Sequence, residues 1–332
     1  MMKEFDKFLK GTEWESFDPI PMSADMGLRR YFRLERGGEK ALLMDMSRAG
    51  ILETGLKEFI DVADFLRTND VRVPDVYHYD LETGYSVIED LGNTSFGDAI
   101  KQNVSEADLY HQATDVLVKI RQASLKNSLG LDDYKVTLIR GRLSQFVDYY
   151  MPVGSGRKTT QVDQDEFQNI LTKIEESLPP CPMGMCHADY HLENLMWRAD
   201  PKDSYALIDF QNAFWGFQGY DLINLLEDAR ASVPDSIKQS MKALYCENMS
   251  EDERQIFDDW YALMSCHFHF RVIGLFVKFA RENGRENDGM EFLTHIPRLQ
   301  GYIKNNLQNP ILAPLKEFVE RHKISFDITV KL

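Results

Sequence analysis

Two hydrophobic rhythms divide the chain near residue 90. In the first part the apolar runs are short. Tyr31-Phe32-Arg33-Leu34-Glu35 and Ala41-Leu42-Leu43-Met44 read as strands on either side of Gly37-Gly38. A Gly-Gly pair between two strand-like runs is a hairpin signal, because both turn positions can take a positive φ. From Thr54, the residues Leu56, Ile60, Ala63 and Leu66 recur at helical spacing. A further apolar run, Tyr85-Ser86-Val87-Ile88, leads into Glu89-Asp90-Leu91-Gly92. The pattern predicts strand, strand, helix and strand in one compact unit.

Beyond Gly92 the rhythm turns helical. Ser105-Glu106-Ala107-Asp108 reads as a capping box before Leu109, Val116, Leu117 and Ile120. Phe167, Ile170, Leu171, Ile174 and Leu178 form a second stripe, and Ser250-Glu251-Asp252-Glu253 opens a long aromatic-rich helix running toward Ala280. Two short strand-like pieces, Met183 to Cys186 and Tyr205 to Ile208, interrupt this half, and polar or acidic residues follow each at once. The expected class is α+β, a small β-rich part on a larger helical one, with the boundary at residues 89–95.

At 332 residues the chain has room for about two domains and an internal cleft. Hydrophobic residues at 43% and charged ones at 27% exclude disordered and collagen-like chains. The 53 acidic against 38 basic residues, a net charge of −15, argue against nucleic acid as a partner, since that affinity rests on clustered Lys and Arg. Four cysteines in a chain this long make no disulfide framework, so a reducing, cytoplasmic location is expected. The first ten residues lack a secretory apolar core, and the uncharged run Val272 to Val277 is far too short to span a bilayer. The expected partner is therefore a small molecule, with no nucleic acid and no membrane, and the expected assembly a monomer or weak oligomer.

Chemistry is concentrated in His187-Ala188-Asp189-Tyr190-His191-Leu192-Glu193-Asn194 and Leu207-Ile208-Asp209-Phe210. Asn194 follows Asp189 by five positions, and Asp209 follows it by twenty. This order suits phosphoryl transfer. One carboxylate orients an attacking hydroxyl and accepts its proton, while an amide oxygen and a second carboxylate hold Mg²⁺ against the ATP phosphates. Hard oxygen donors suit Mg²⁺, which needs few protein ligands because phosphate and water supply the others. An Asp-x-x-x-x-Asn spacing alone carries little, since loops are rich in both residues; its place after one strand-like run, with a second run ending in Asp209, gives it weight.

These segments resemble the catalytic and metal loops of the aminoglycoside phosphotransferase and choline kinase-like family, which has a protein-kinase-like bilobal fold. Within it, Ser23-Ala24-Asp25, Arg29-Arg30-Tyr31-Phe32-Arg33, Glu89-Asp90-Leu91-Gly92 and Tyr220-Asp221-Leu222 through Leu225-Leu226-Glu227-Asp228-Ala229-Arg230 are similar to the bacterial N-acetylmuramate/N-acetylglucosamine anomeric kinases. The resemblance implies a small ATP-binding N-lobe over residues 1–90, ending at the hinge. It implies a mainly helical C-lobe over 91–332 that carries the catalytic and metal loops and the acceptor site. Asp189 then matches the catalytic base, and Asn194 and Asp209 the Mg²⁺ ligands. His187 supports the loop, and His191 packs the loop or rims the substrate. Ser23 to Arg30, with Gly27, Arg29 and Arg30, form the turn over the ATP phosphates. The backbone of Glu89 and Leu91 meets adenine, and Asp221 and Arg230 either buttress the catalytic loop or touch substrate. The implied reaction transfers the γ-phosphate of ATP to an amino-sugar hydroxyl in cell-wall recycling. An aminoglycoside or choline-like kinase and a nucleotide-binding pseudokinase are the alternatives.

The chain departs from the general kinase pattern in two places. Ala41-Leu42-Leu43-Met44-Asp45 stands where a strand lysine belongs, and Lys40 lies about 13 Å upstream of Met44 at a strand rise of about 3.3 Å per residue. A cation from Arg29, Arg30 or Arg33 is the chemically sensible replacement. Gln211, rather than glycine, follows Asp209-Phe210, which favours a fixed metal ligand over a conformational switch. Glu53 and Glu58 are candidates for the small-lobe helix glutamate. The Cys181/Cys186-His187 and Cys266-His267-Phe268-His269 groups lack zinc-site spacing. The stripe Phe257, Trp260, Tyr261, Phe268 and Phe270 reads as core.

Overall fold

The computed structural model describes residues 2–22, 29–47, 55–283 and 289–330. Ser23 and Gly27 of the expected phosphate turn, and Glu53, lie outside the described residues. The chain begins with helix α1 (Met2–Leu9), then strands β1 (Ile20–Pro21), β2 (Arg30–Arg36) and β3 (Glu39–Asp45), helix α2 (Leu56–Thr68), and strands β4 (Val76–Asp80) and β5 (Tyr85–Glu89). Helices α3 (Phe96–Lys101) and α4 (Glu106–Ala123) follow. Next come α5 (Leu138–Gly141), α6 (Met151–Ser155), α7 (Gln161–Ser177) and strand β6 (Met183–Cys186). Strands β7 (Leu195–Trp197), β8 (Tyr205–Leu207) and β9 (Phe214–Phe217) precede helices α8 (Tyr220–Leu226), α9 (Asp235–Tyr245), α10 (Glu251–Asn283), α11 (Ile296–Asn306) and α12 (Ala313–Arg321).

The chain packs into two compact units: residues 1–123 with 187–213, and residues 124–186 with 214–332. This is a division by packing.

In the first unit the described strands form an antiparallel sheet in the order β1-β2-β3-β5-β4. Arg36 pairs with Glu39, so the β2–β3 turn is the two residues Gly37 and Gly38, with φ of 62° and 97°. Positive φ at both positions matches the right-handed twist of the strands and requires glycine-like freedom. One sheet face carries Phe32, Leu34, Ala41, Leu43 and Val87 against Phe5, Phe8 and Leu9 of α1 and against Trp14 and Phe17. Phe5 meets Phe32 and Tyr85 edge-on, at centroid distances of 4.9 and 5.2 Å. The sequence pattern does not show α1, β1 or β4. In β4 a half-exposed edge strand puts Tyr77 and Tyr79 in solvent, and no continuous apolar run marks it.

The second unit is built around α10. Ser250 caps it as expected: the Ser250 N–H donates to Glu253 Oε2 at 2.8 Å, and the Glu253 N–H donates back to Ser250 Oγ at 3.3 Å. Phe257, Trp260, Tyr261, Phe268 and Phe270 are all buried, so the aromatic stripe is core. Among the described residues α10 alone is long and apolar enough to cross a bilayer, yet 83% of its most apolar stretch is buried inside the protein, as in a core helix.

At Gly274 α10 makes a close approach. A Cβ added there would lie 2.4 Å from the carbonyl carbon of Gln145 and 2.5 Å from the Phe146 nitrogen, both backbone atoms that cannot step aside. Helix propensity alone predicts that Gly274→Ala stabilises the protein by about 1 kcal/mol. The packing predicts the opposite sign, a loss of about 1–3 kcal/mol from overpacking. Chemical denaturation of the two proteins reads that sign directly.

Candidate active site

The hairpin β7–β8 positions the acidic groups. Leu195 pairs with Leu207, and the Ile208 N–H donates to the Asn194 carbonyl at 3.0 Å. Residues 194 and 208 are therefore the last rung of the ladder, and Asn194 and Asp209 stand side by side at its open end. This rung brings together two groups that stand fifteen positions apart in the chain. The sequence shows the β8 half of the hairpin but not β7, whose three residues are too few to display a period.

Beta strand β6 runs directly into His187, which is fully buried. Its Nε2 donates to the Ile208 carbonyl at 2.8 Å, and its Nδ1 lies 3.4 Å from the Asp189 N–H, its donor. One imidazole thus links the loop carrying Asp189 to the strand end carrying Asp209. Tyr190 anchors the same loop to α4 by donating its hydroxyl to the Ala113 carbonyl at 2.8 Å. Asp189 projects outward, its side chain 62% exposed, as an acid that must meet a ligand does. His191 packs beneath it, with Nε2 3.4 Å from Asp189 Oδ2 and 3.2 Å from Asn194 Nδ2.

Asn194 Nδ2 donates to the Asp189 carbonyl at 2.9 Å. This fixes the amide and leaves Oδ1 without a hydrogen-bond partner among the described residues. Asp209 Oδ1 accepts from Arg29 Nη1 at 2.7 Å and from Gln211 Nε2 at 2.9 Å, and Oδ2 has no described partner. Two hard oxygens, an amide and a carboxylate, are thus available from neighbouring backbone positions, a donor set that fits Mg²⁺. Ala188 and Asp209 have φ of 84° and 64°. Left-handed backbone at non-glycine residues costs about 1–3 kcal/mol each and persists where the surroundings over-determine it. Here His187, Gln211 and the stacking of Phe210 on Phe59 of α2, at 4.9 Å, supply that determination.

The structure separates the three arginines considered as a replacement cation. Arg33 is held by Asp90 at 2.7 Å and Asn93 at 2.9 Å, which ties β2 to the segment after β5. Arg30 Nε donates at 2.7 Å to Asp45, a buried carboxylate that also accepts from the Ser47 N–H at 2.9 Å. Only Arg29, of the three, reaches Asp209. Lys40 pairs with Glu35 at 3.1 Å, half in solvent, and takes no part. Glu58 accepts the Gly55 N–H at 2.9 Å and so caps α2, which occupies it at its own helix terminus.

Glu89 contributes more than backbone. Both of its oxygens accept from Arg72 Nη2 at 2.7 Å, and Arg198 Nη1 lies 3.2 Å from Oε1. Asp203 closes the ring, 3.0 Å from Arg72 Nε and 2.8 Å from Arg198 Nε. Alternating charges thus clamp the end of β5 to the turn of the β7–β8 hairpin. The Glu89 N–H is spent on the Asp75 carbonyl at 2.8 Å, and Leu91 sits in the following turn, where Asp90 accepts the Gly92 N–H at 3.0 Å. Glu193 bonds Ser95 at the start of α3. The sequence pattern marks none of Arg72, Arg198 or Asp203, and it gives Glu193 no role within the segment that contains it. Asp221 and Arg230 belong to the second unit: Asp221 is buried in α8, and Arg230, half-exposed, pairs with Asp228 at 3.1 Å.

An exposed carboxylate on a rigid loop, next to an amide and a second carboxylate at a strand end, can orient a hydroxyl for attack on a phosphoryl group. Residues 20–256 match the phosphotransferase enzyme family. The chain belongs to that family. Within this phosphotransferase family its relatives include the N-acetylmuramate/N-acetylglucosamine kinase of Pseudomonas putida, 28% identical over 305 residues, covering 90% of this chain and 86% of the relative. The protein of the same name from Neisseria meningitidis is 28% identical over 315 residues, covering 90% and 89%. Among solved structures, a choline/ethanolamine kinase family protein from Mesorhizobium loti shares the fold with a TM-score of 0.60 at 13% identity, covering 97% of this chain and all of that one. A microcompartment-associated aminopropanol kinase matches with a TM-score of 0.59 at 15% identity, covering 93% and 95%. The phosphotransferase is therefore a kinase-type enzyme of protein-kinase-like fold, with an antiparallel N-terminal sheet and a larger helical part.

Proposed function

We propose that the protein is an ATP- and Mg²⁺-dependent sugar kinase that phosphorylates the anomeric hydroxyl of N-acetylmuramate or N-acetylglucosamine. The observation that carries this reading is the last rung of the β7–β8 hairpin, which sets Asn194 beside Asp209 and holds the Asp189 loop through Asn194 and the Ile208 carbonyl. Asp189 orients the sugar hydroxyl and takes its proton. Asn194 Oδ1 and Asp209 hold Mg²⁺, which when bound neutralises charge on the phosphates. Arg29 supplies the guanidinium that replaces the strand lysine, while Arg30, at the start of β2, is paired to Asp45. The Glu89 carbonyl and the Leu91 backbone meet the adenine, the Glu89 N–H being held by Asp75, so that residues 1–90 act as the nucleotide lobe and 91–332 as the acceptor lobe.

The sugar specificity is supported by the two named relatives, each matched along 90% of this chain. ADP release should be followed with ATP, Mg²⁺ and one acceptor at a time: N-acetylmuramate, N-acetylglucosamine, choline, and a 3′-hydroxyl aminoglycoside. Release with the amino sugars is expected, at a kcat/KM at least about a hundredfold above that with the cationic acceptors, since a site built for one set of polar contacts rejects another by that order or more. Preference for choline or the aminoglycoside would reject the sugar assignment, and nucleotide binding without turnover on any acceptor would revive the pseudokinase alternative.

A further inference from the structure

Gln211 directly follows Asp209-Phe210 and is only 3% exposed. A buried amide without a partner is costly, so the bonds of such a side chain carry weight. Its Nε2 donates to Asp209 Oδ1 at 2.9 Å, and Arg29 Nη1 donates to the same oxygen at 2.7 Å. All three residues belong to the first compact unit. The backbone leaves this arrangement little room to change. Asp209 holds a φ of 64°, and Phe210 is fully buried and stacks on Phe59 at 4.9 Å. The Ala213 N–H closes the turn on the Phe210 carbonyl at 3.1 Å.

A carboxylate oxygen has lone pairs for about two donors. On Oδ1 both places are taken, one by a guanidinium and one by an amide, whereas Oδ2 accepts from no described residue. The two oxygens of Asp209 are therefore unequal. A cation held by Asn194 and Asp209 is offered one oxygen of the carboxylate, not the pair. That difference separates the common divalent cations. Mg²⁺ demands a near-ideal octahedron, which the narrow bite of a two-oxygen carboxylate distorts. Ca²⁺ takes about six to eight oxygens in a flexible shell and readily binds a carboxylate through both.

We propose that Gln211 is a positioning residue that, together with Arg29, leaves Asp209 one available oxygen and so selects Mg²⁺ over Ca²⁺. The role of Gln211 rests on the assignment of Asn194 and Asp209 as metal ligands and is independent of the acceptor. Loss of the amide donor opens Oδ1 and makes ligation through both oxygens possible. The glycine that follows Asp-Phe in the general kinase pattern has no side chain with which to impose this restriction.

The test is binding of Mn²⁺, read by electron paramagnetic resonance in the presence of a non-hydrolysable ATP analogue, with Mg²⁺ and Ca²⁺ as competitors. The parent is compared with Gln211→Met, which keeps the length of the side chain and loses the donor. The ratio of the Ca²⁺ to the Mg²⁺ dissociation constant should fall about tenfold or more in the variant, the low end of the effect of losing a partner to a metal ligand. An unaltered ratio overturns the proposal. So does an equal weakening of both cations, which is what local loosening alone would give. Gln211→Asn keeps the amide but draws it back by one methylene; it should show the same fall, and it carries the test if Gln211→Met does not fold. Asp209→Asn in the same assay keeps the two assignments apart. If the parent binds no Mn²⁺, or Asp209→Asn binds it as tightly as the parent, the metal assignment fails and the role of Gln211 with it. If Asp209→Asn loses Mn²⁺ while the Gln211 variants keep the parental ratio, the metal assignment stands and the role of Gln211 alone is refuted.

Discussion

Asp189→Asn should lower kcat by about 10²- to 10⁴-fold, the usual worth of a positioned general base, and leave ATP affinity nearly unchanged. The change is local. The hydrogen bonds that hold the loop at this residue use the Asp189 backbone, whose N–H faces His187 and whose carbonyl accepts from Asn194 at 2.9 Å. Asparagine keeps both and keeps the side-chain volume, so the loop stays in place while the proton acceptor is lost. Initial rates at saturating ATP, with calorimetric titration of ATP into both proteins, separate the two effects. A variant as active as the parent would end the assignment of Asp189 as base. A variant that also failed to bind ATP would point to a folding defect.

Asp209→Asn should be nearly as damaging, by a different route. The substitution removes a full negative charge from the proposed Mg²⁺ site and breaks the ion pair that Arg29 Nη1 makes with Oδ1 at 2.7 Å. Loss of about 3 kcal/mol of metal-borne charge stabilisation corresponds to about 10²-fold in kcat/KM for Mg·ATP. Asparagine is the informative replacement because Asp209 has a φ of 64°, a conformation asparagine adopts more readily than alanine does. The expected signature is a higher Mg²⁺ concentration for half-maximal rate together with an unaltered melting curve. Unchanged Mg²⁺ dependence would remove Asp209 from the metal site.

How much of this could be read from the chain follows from the range of the interactions involved. Asp189, Asn194 and Asp209 stand out because the proposed chemistry requires those residue types, and the hairpin fixes the spacing of the last two. The β2–β3 turn stands out because Gly37 and Gly38 both need positive φ. The clamp of Arg72, Glu89, Arg198 and Asp203 joins positions as much as 131 apart in sequence, and such ion pairs leave no periodic trace. The same holds for the sorting of Arg29, Arg30 and Arg33. Three arginines within five residues look alike in sequence, and only their partners Asp209, Asp45 and Asp90 tell them apart. Helix α1 was hidden by its length of eight residues, and β4 by its place at a sheet edge with alternate side chains in solvent.

The central claim is phosphoryl transfer from ATP to an anomeric sugar hydroxyl, and phosphorus NMR of the complete reaction with N-acetylmuramate tests it most directly. The account predicts a new phosphomonoester signal coupled to the anomeric proton, growing as the γ-phosphate signal of ATP declines, and absent when the Asp189→Asn protein replaces the parent. A phosphoester coupled to any other sugar proton, or release of inorganic phosphate alone, would contradict it.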